Sequence, residues 1–293
     1  MQNFGEYELI DFGNGRKLER FGPWILDRPS PAAGHAAPTL PADSWKEAAA
    51  RYVRNRTSSE SGKWTLHQSL PAAWNVPFAI PKVPPITLQL KTTEFGHLGL
   101  FPEQQTNWPW IAQQIRSINQ LAPLKILNLF AYTGGSTLAA AAAGAHVVHV
   151  DAAKNVVQWA RHNAQLSGLE HLPIRWIAED ARKFVQRELN RGNQYDAIIL
   201  DPPTYGHGPR GTVWQVQRDL FPLLKDCGQL LKDRCRFFLL TCHSPGISTS
   251  DMSAMISDAI VGHCGSPPRT MRLQLTTLDQ RRLDAGVAAR WPY

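Results

Sequence analysis

Cysteine is scarce in this sequence, and its spacing argues against two kinds of scaffold. The 293 residues contain only four cysteines, Cys227, Cys235, Cys242 and Cys264, and none of them forms a CxxC pair. A structural zinc site or a framework of disulfides therefore has no support, and we expect no metal. Reduced thiols in a cytoplasm fit this pattern better.

Signals for export and for a membrane span are also missing from the sequence. The opening residues, MQNFGEYELIDFG, contain neither the basic region nor the apolar stretch of a signal peptide. The longest apolar run, at residues 138–143, is broken by Gly144 and is far too short to cross a bilayer. We therefore expect a soluble, cytoplasmic protein with no membrane partner.

The composition is that of a globular protein with a basic balance. Hydrophobic residues make up 43% and charged residues 19% of the chain, which is enough to bury a sizeable core. The net charge of +7 favours a polyanionic partner such as nucleic acid. On charge alone, a basic protein that has no such partner fits the sequence almost as well.

The first 85 residues predict a small β-rich region. The turn GNG at residues 13–15 accepts positive φ easily and predicts a hairpin between strands at residues 7–12 and 17–21. Residues 29–43 are rich in proline and alanine, which predicts a linker or surface loop. A serine, with an acid three residues later, then predicts a helix over residues 44–52.

Two groups of basic residues are candidates for contact with RNA. For both groups, solvated surface residues are the simpler interpretation. In the first group a tryptophan could stack on a base. The groups are Arg51, Arg54, Arg56 and Lys63 with Trp64, and Arg269, Arg272, Arg281, Arg282 and Arg290.

Residues 125–151 predict the nucleotide-binding half of a doubly wound α/β domain. A strand at residues 125–129 leads into a turn with Gly134 and Gly135, an alanine-rich helix, and a second strand that ends at Asp151. Glycine lets the backbone approach a ligand, and the helix N-terminus presents free N–H groups to it. A carboxylate at Asp151 can accept hydrogen bonds from both ribose hydroxyls of a nucleoside.

The glycine pattern favours one cofactor over another. Dinucleotide-binding proteins use GxGxxG, and the turn YTGGST lacks the third glycine at that spacing. S-adenosylmethionine, which has no pyrophosphate, therefore fits better than NAD. Beyond a third strand, Asp180 is expected to accept the adenine amine, to cap the helix over residues 181–189, or both.

The motif Asp201-Pro202-Pro203-Thr204-Tyr205 follows a fourth, mostly apolar strand. Open α/β sheets bind substrates at the carboxyl ends of their strands. Asp201 and Pro202 would hold the N–H groups of a base and Tyr205 would stack on it, since methyl transfer depends mainly on positioning. An ordinary proline-rich turn explains the motif alone, but not its place after the glycine turn. A flexible loop at residues 206–211, with Arg210, and a helix over residues 213–232 are expected next.

Cys242 follows a fifth strand, at residues 236–240, and has a conditional role. Carbon 5 of a pyrimidine becomes nucleophilic only after a thiolate has added at carbon 6. Cys242 could supply that thiolate, with His243 lowering its pKa. Cysteine is also a common buried strand residue, which is the competing interpretation.

The run NLFAYTGGSTLAAAAAGAHVVHVD, followed by AEDAR and ILDPPTYGHG, resembles a family of bacterial S-adenosylmethionine-dependent methyltransferases. These are related to the 23S rRNA cytosine-5 and guanine-N7 enzymes. The resemblance implies a Rossmann-like class I methyltransferase domain with a doubly wound, mostly parallel seven-stranded sheet. It also implies a small N-terminal domain that helps to bind RNA. We expect these domains at residues 86–293 and 1–85.

The resemblance leaves the target base open. The cytosine-5 members read Ser-Cys-Ser where this chain has Thr241-Cys242-His243, so the cysteine is kept but its neighbours differ. The guanine-N7 members carry DPPTF, which the motif at residues 201–205 resembles more closely. The cytosine-5 enzymes also have a PUA domain at the N-terminus, for which this sequence gives no convincing pattern.

The sequence thus predicts an S-adenosylmethionine-dependent methyltransferase that acts on a base in RNA, such as ribosomal RNA. The alternatives are methylation of a protein or small molecule, an NAD-dependent oxidoreductase, and a non-catalytic RNA-binding protein. The predicted catalytic residues are Asp201, Pro202, Tyr205 and Cys242. The predicted cofactor-binding residues are Phe130, Ala131, Tyr132, Thr133, Gly134, Asp151, Ala152, Asp180, Ala181 and Asp201.

Overall fold

The computed structural model describes residues 7–55, 61–118, 122–207, 213–244, 246–260 and 268–292. The chain divides into two compact units. The β-rich unit contains Met1–Ala79, Pro85–Gln105 and Gln274–Ala285, and the α/β unit contains Ile80–Pro84, Thr106–Leu273 and Gly286–Tyr293. The domain boundary expected at residue 85 stays a prediction.

The β-rich unit is built on an antiparallel hairpin, as the sequence predicts. Its first strands meet at a turn in which Asn14 and Gly15 have φ of 51° and 72°. A five-stranded sheet has the order β1-β2-β3-β4-β5, and β6 pairs with β7 separately. The elements are β1 (Tyr7–Gly13), β2 (Arg16–Phe21), β3 (Trp24–Pro29), α1 (Ala42–Lys46), β4 (Ala50–Arg54), β5 (Gly62–Leu66), β6 (Trp74–Phe78) and β7 (Ile86–Leu90).

The prediction of a helix over residues 44–52 is wrong for most of that segment. The helix α1 has only five residues, and Pro41 rather than Ser44 stands at its N-cap. The second part of the segment is β4, which pairs with β3 in parallel and with β5 in antiparallel orientation. Pairing with two neighbouring strands buries Tyr52 and outweighs the local helix signal.

The proline-rich loop at residues 29–43 is fixed by the buried carboxylate of Asp11. This carboxylate accepts the backbone N–H groups of Thr39 and Leu40 and the indole N–H of Trp45. Arg281 donates to it from 2.7 Å. The segment is therefore a loop held by long-range hydrogen bonds.

The α/β unit confirms the predicted fold class. Its sheet has the order β10-β9-β8-β11-β14-β16-β15. The first five of these strands are parallel, and β16 is antiparallel to β14. The elements are α2 (Asn107–Ser117), β8 (Lys125–Leu129), α3 (Gly135–Ala142), β9 (His146–Asp151), α4 (Lys154–Leu166), β10 (Ile174–Ala178), α5 (Ala181–Asn190), β11 (Ala197–Leu200), β12 (Tyr205–His207), β13 (Val213–Gln215), α6 (Val216–Leu231), β14 (Phe237–Cys242), α7 (Thr249–Ala259), β15 (Arg269–Thr276) and β16 (Arg282–Trp291).

Apolar cores cover both faces of this sheet. Side chains of α2 and α3 pack on one face, for example Ile111 and Ala140 against Ile199. Side chains of α5, α6 and α7 pack on the other, for example Phe184 and Leu224. All four residues of β11 are buried, as expected for a central parallel strand.

One predicted boundary in this unit is wrong. Residues 213–215, expected to be helical, form β13, which pairs with β12 instead. Residues 206 and 207 belong to β12, and the rest of the predicted flexible loop lies outside the described residues. In the part of the chain that the structure describes, no helix is long and apolar enough to span a membrane.

Candidate active site

The predicted site residues converge on one edge of the α/β sheet. The strands β10, β9, β8, β11 and β14 are neighbours and run in parallel, so their carboxyl ends share that edge. The strand order reverses between β8 and β11, which is the switch point where such folds bind ligands. Asp180, Asp151, the glycine turn, Asp201 and Cys242 lie in this order along the edge.

The glycine turn after β8 has an unusual backbone. Phe130, Tyr132 and Gly134 have φ of 54°, 48° and 91°. Positive φ costs a residue with a side chain roughly 1 kcal/mol or more, so surrounding contacts must hold this shape. The N–H of Ala131 donates to the carbonyl of Val150 at 3.0 Å.

The floor of the turn is closely packed. A Cβ at Gly135 would lie 2.6 Å from the Trp108 ring. Asn163 donates to the carbonyl of Thr133 at 2.9 Å. Gly135 therefore allows α3 to begin close against Trp108, and the approach of a ligand to this backbone stays a prediction.

A buried polar chain lies behind the turn. Asn128 donates to the hydroxyl of Thr137 at 2.8 Å, and that hydroxyl lies 2.9 Å from Nδ1 of His149. These contacts join the end of β8 to β9 through the first turn of α3. Burial lowers the pKa of His149 to about 3, so this imidazole is neutral.

Asp151 ties the second strand to the turn. Its two carboxylate oxygens accept the N–H groups of Tyr132 and Ala153, each at 3.0 Å. Burial raises the pKa of this carboxyl, and the two N–H groups partly offset the rise. A carboxylate can accept about four hydrogen bonds, so both oxygens retain capacity for ribose hydroxyls.

Asp180 caps the helix α5, which is one of the two roles expected for it. Its carboxylate accepts the backbone N–H groups of Arg182 and Lys183 at 3.0 and 3.2 Å. The guanidinium of Arg182 also pairs with it at 3.3 Å. Contact with adenine stays a prediction for Asp180 and for the neighbouring Ala181.

Asp201 is oriented by two side chains from the end of β14. The hydroxyl of Thr241 donates to Oδ1 of Asp201, and Nε2 of His243 lies 3.2 Å from the same oxygen. Gly286 of β16 leaves room for this arrangement, because a Cβ there would lie 2.8 Å from Nδ1 of His243. The end of β14 therefore orients the Asp201 carboxylate.

The residues after Asp201 are also fixed. The carbonyl of Pro203 accepts the indole N–H of Trp214 at 2.7 Å. The hydroxyl of Thr204 lies 2.7 Å from that of Ser244. Tyr205 is 44% exposed, so its ring is accessible to a substrate.

Cys242 lies at the predicted edge but is unlike an activated nucleophile. It is 1% exposed and is the last residue of β14, opposite Val287 of β16. Burial raises the pKa of the thiol, although hydrogen bonds from Ser244 lower it in part. The expected lowering of this pKa by His243 is therefore not observed, and the imidazole contacts Asp201 instead.

Several of the basic residues serve the fold. Arg281 donates to Asp11 and lies 4.1 Å from the Phe12 ring centre. Arg290 donates to Asn107 at 2.7 Å. Both arginines therefore make contacts within the fold, and their contact with RNA stays a prediction.

The first basic group is also partly engaged. Arg51 pairs with Asp27 at 3.3 Å. Trp64 packs 5.2 Å from the Tyr52 ring and donates to a backbone carbonyl at 2.8 Å, so it is not a free stacking platform. Arg54 and Lys63 are exposed. Arg56 and Arg210 lie outside the described residues.

The edge fits a nucleoside cofactor. Gly134 stands at the N-cap of α3 with no side chain to cover the free N–H groups of the helix. The half-buried Asp151 carboxylate lies beside the turn. These N–H donors and this carboxylate acceptor suit a small polar tail and a ribose. No third glycine opens the turn for a pyrophosphate.

Comparison with known proteins gives the class. A family model of S-adenosylmethionine-dependent methyltransferases matches residues 86–248, more than half of the chain. The chain therefore belongs to this family. It is an enzyme whose cofactor is S-adenosylmethionine, so the alternatives of an NAD enzyme and of a non-catalytic protein are withdrawn.

Individual relatives agree with this class. The S-adenosylmethionine-dependent methyltransferase from Agrobacterium tumefaciens is 36% identical, with a TM-score of 0.89, and the match covers 99% of this chain and 91% of that one. A structure from Streptococcus mutans has a TM-score of 0.71 at 15% identity, covers 99% of this chain and 75% of that one, and shows the fold alone.

A ribosomal RNA large subunit methyltransferase K/L from Pseudoalteromonas atlantica is 33% identical over 146 residues. These residues are 49% of this chain and 19% of the relative, so the chain spans about a fifth of that relative.

Two residues of the edge have roles that the sequence pattern misassigns. The pattern predicts a helix around Trp214, although its distance of only nine positions from Tyr205 is compatible with a hairpin. The pattern also links His243 to the thiol of Cys242, because the two are neighbours in sequence. His243 follows the last residue of β14, and its imidazole lies beside Asp201.

Proposed function

We propose that this methyltransferase acts on RNA and transfers the methyl group to a nitrogen atom of an unpaired base. The observation that carries the proposal is the rigid acceptor group at the end of β11, Asp201 with Pro202, beside an exposed Tyr205 ring. Carboxylate and carbonyl oxygens accept N–H groups of a base, and an aromatic ring stacks on its face.

The choice of nitrogen over carbon 5 rests on Cys242. Methylation at carbon 5 of a pyrimidine needs a thiolate that can reach the base. The thiol of Cys242 is buried and its pKa is raised. Attack by a nitrogen lone pair needs no covalent help from the protein, so orientation by Asp201 and Pro202 is sufficient.

The choice of RNA has two supports. One relative is a ribosomal RNA large subunit methyltransferase, although it is matched over only 146 residues. The net charge of +7 favours a polyanion. A base inside a duplex would have to be flipped out to reach the edge, so an unpaired base is the simpler substrate. An RNA substrate agrees with the cytoplasmic location expected from the sequence.

The residues of the site take the following roles in this proposal. Asp151 holds the ribose, Asp180 with Ala181 holds the adenine, and the turn that includes Phe130 and Thr133 holds the methionine part. The exposed Arg54 and Lys63 of the N-terminal region, residues 1–85, would contact the RNA backbone.

Nucleoside analysis of a deletion strain tests the proposal. Ribosomal and transfer RNA from the deletion strain and its parent are digested, and their methylated nucleosides are compared by mass spectrometry. We expect one N-methylated nucleoside to decrease and to return when the wild-type gene is restored, but not with Asp201→Ala. An unchanged RNA profile, with a methylated protein or small molecule lost instead, would replace RNA with that substrate.

A further inference from the structure

Trp214 touches three separate segments of the active-site edge. It lies in β13 and is 5% exposed. Its ring packs against Phe130 of the glycine turn, its N–H donates to Pro203, and the Arg182 guanidinium lies over it.

The contact with Pro203 fixes the acceptor motif. The indole N–H donates to the Pro203 carbonyl at 2.7 Å, and the N–H of Val216 donates to the next carbonyl, of Thr204, at 3.1 Å. Two successive carbonyls of the motif are therefore held by the segment that contains Trp214. A buried indole N–H that loses its partner is destabilising, so this geometry is well determined.

The contact with Phe130 supports the cofactor turn. The two ring centres are 4.8 Å apart and the planes are tilted by 55°. Phe130 has a φ of 54°, which a phenylalanine adopts only when its surroundings impose it. A change in the conformation of the turn on cofactor binding would therefore be transmitted to the indole ring of Trp214.

The third contact reaches the acid at the end of β10. The Arg182 guanidinium lies 5.7 Å from the Trp214 ring centre. Arg182 also pairs with Asp180 at 3.3 Å and with Asp219 of α6 at 3.2 Å. One indole thus borders the turn, the helix cap at Asp180 and the acceptor motif.

We propose that Trp214 is a positioning residue that couples cofactor binding to the geometry of the Asp201–Tyr205 motif. Cofactor bound against the glycine turn restrains the Phe130 ring, Phe130 restrains the indole, and the indole restrains the Pro203 carbonyl. The acceptor motif is then restrained further when the methyl donor is in place. This rests on the proposed role of the motif in holding the acceptor.

Hydrogen exchange with and without S-adenosylhomocysteine tests the coupling and requires no methyl acceptor. In the wild type, we expect the ligand to slow amide exchange in the glycine turn, residues 131–137, and also in residues 204–207 and 213–216. In Trp214→Phe, a ring still faces Phe130 but the N–H is lost. Protection of the turn should persist, and protection of the motif should fall by roughly 10-fold.

Two further variants keep the test decisive. Phe130→Leu removes the ring contact and leaves the hydrogen bond to Pro203, and it should also uncouple the motif. Trp110→Phe, in a helix that packs on Phe237, removes an indole elsewhere in the unit and should leave the coupling intact. If Trp214→Phe and Phe130→Leu both keep the ligand-dependent protection of the motif, Trp214 only fills space and the proposal is overturned.

Methyl transfer gives an independent readout. For Trp214→Phe we expect the Kd for S-adenosylhomocysteine to stay within about 3-fold and kcat to fall roughly 10-fold, because the acceptor is misplaced. A merely structural role would lower the melting temperature without separating these two quantities. If the substrate is not RNA, the RNA assay fails for the wild type too, while the exchange result still decides the coupling.

Discussion

His243 Nε2 lies 3.2 Å from Oδ1 of Asp201, and the Thr241 hydroxyl donates to the same oxygen. Side chains at the end of β14 thereby orient the carboxylate of Asp201, which follows the neighbouring strand β11. The Asp201 carboxylate is therefore oriented from β14, whereas Trp214 links the Pro203 carbonyl to the glycine turn. Acceptor orientation and cofactor binding should therefore respond differently to mutation of Asp201.

Asp201→Asn should affect methyl transfer much more than cofactor binding. The variant keeps the shape of the side chain but loses the charge that attracts N–H groups. We expect the Kd for S-adenosylhomocysteine to change by less than about 3-fold and kcat/KM to fall roughly 100-fold, in line with loss of a positioned polar group. Calorimetry and a tritium-transfer assay measure the two. Glu170→Gln, on the surface, is the control, and equal losses of binding and transfer would contradict the separation.

Gly286→Ala should disturb His243. An added Cβ would lie 2.7 Å from the carbonyl oxygen of Cys242 and 2.8 Å from Nδ1 of His243, at a φ of 117°. The matched control is Gly144→Ala, which has a φ of 101° and nothing within 4 Å of the added Cβ. The control should lose about 1 kcal/mol of unfolding free energy from backbone strain alone.

The Gly286→Ala variant should lose at least about 2 kcal/mol, since steric overlap adds to the same strain. Urea denaturation of both variants measures the difference. Equal costs would show that His243 and the carbonyl move aside without penalty. A fall in kcat for Gly286→Ala alone would connect the steric effect to Asp201.

Cys242→Ala should remain active. The thiol is buried and its pKa is raised, so it packs rather than reacts. We expect kcat to stay within about 3-fold and the unfolding free energy to fall by about 1 kcal/mol, as for a small buried truncation. Cys227→Ala, whose thiol is fully buried in α6, is the control. Loss of transfer in Cys242→Ala alone would restore the covalent mechanism.

Arg281→Met should destabilise the β-rich unit. Its partner Asp11 is fully buried, and removing one member of a buried ion pair costs roughly 3–5 kcal/mol. Denaturant unfolding at neutral pH should show this loss. The exposed neighbour variant Arg282→Met should change the unfolding free energy by less than about 0.5 kcal/mol. Similar effects of the two substitutions would contradict the anchoring role of Arg281.

The backbone hydrogen bonds to Asp11 predict sensitivity to acid. Burial of Asp11 raises its pKa, but hydrogen bonds from Leu40, Thr39 and Phe12 outweigh this and lower the pKa below its usual value. A lowered folded-state pKa contributes stability above the unfolded value, about 3.9, and that contribution is lost as the pH falls through the folded value. Asp11→Asn should therefore lose less stability than the wild type on going below about pH 4.

The sequence predicts the α/β unit well because its signals are local. Glycines mark the ends of α3 and α4, and each strand is short, apolar and followed by a turn residue or an acid. The glycine turn and Asp151 follow from 25 consecutive residues, 127–151. Fold class and cofactor can therefore be inferred from the order of residues alone.

The remaining features depend on distant residues. Residues 50–54 form a strand only because β3 and β5 lie on either side of it. The bond between Arg281 and Asp11 joins positions 270 apart. The bond between Trp214 and Pro203 requires a hairpin that a helical pattern conceals. Tertiary contacts decide these features, and local propensity does not reveal them.

The most direct test of the account is methyl transfer to RNA in vitro. Purified enzyme is incubated with S-adenosylmethionine labelled with tritium in the methyl group and with ribosomal RNA from a strain that lacks the gene. The RNA is then digested, and the labelled nucleoside is identified. The account predicts label in a single N-methylated nucleoside, absent with Asp201→Ala and with RNA from the parent strain. Label in 5-methylcytidine, or in protein but not in RNA, would contradict it.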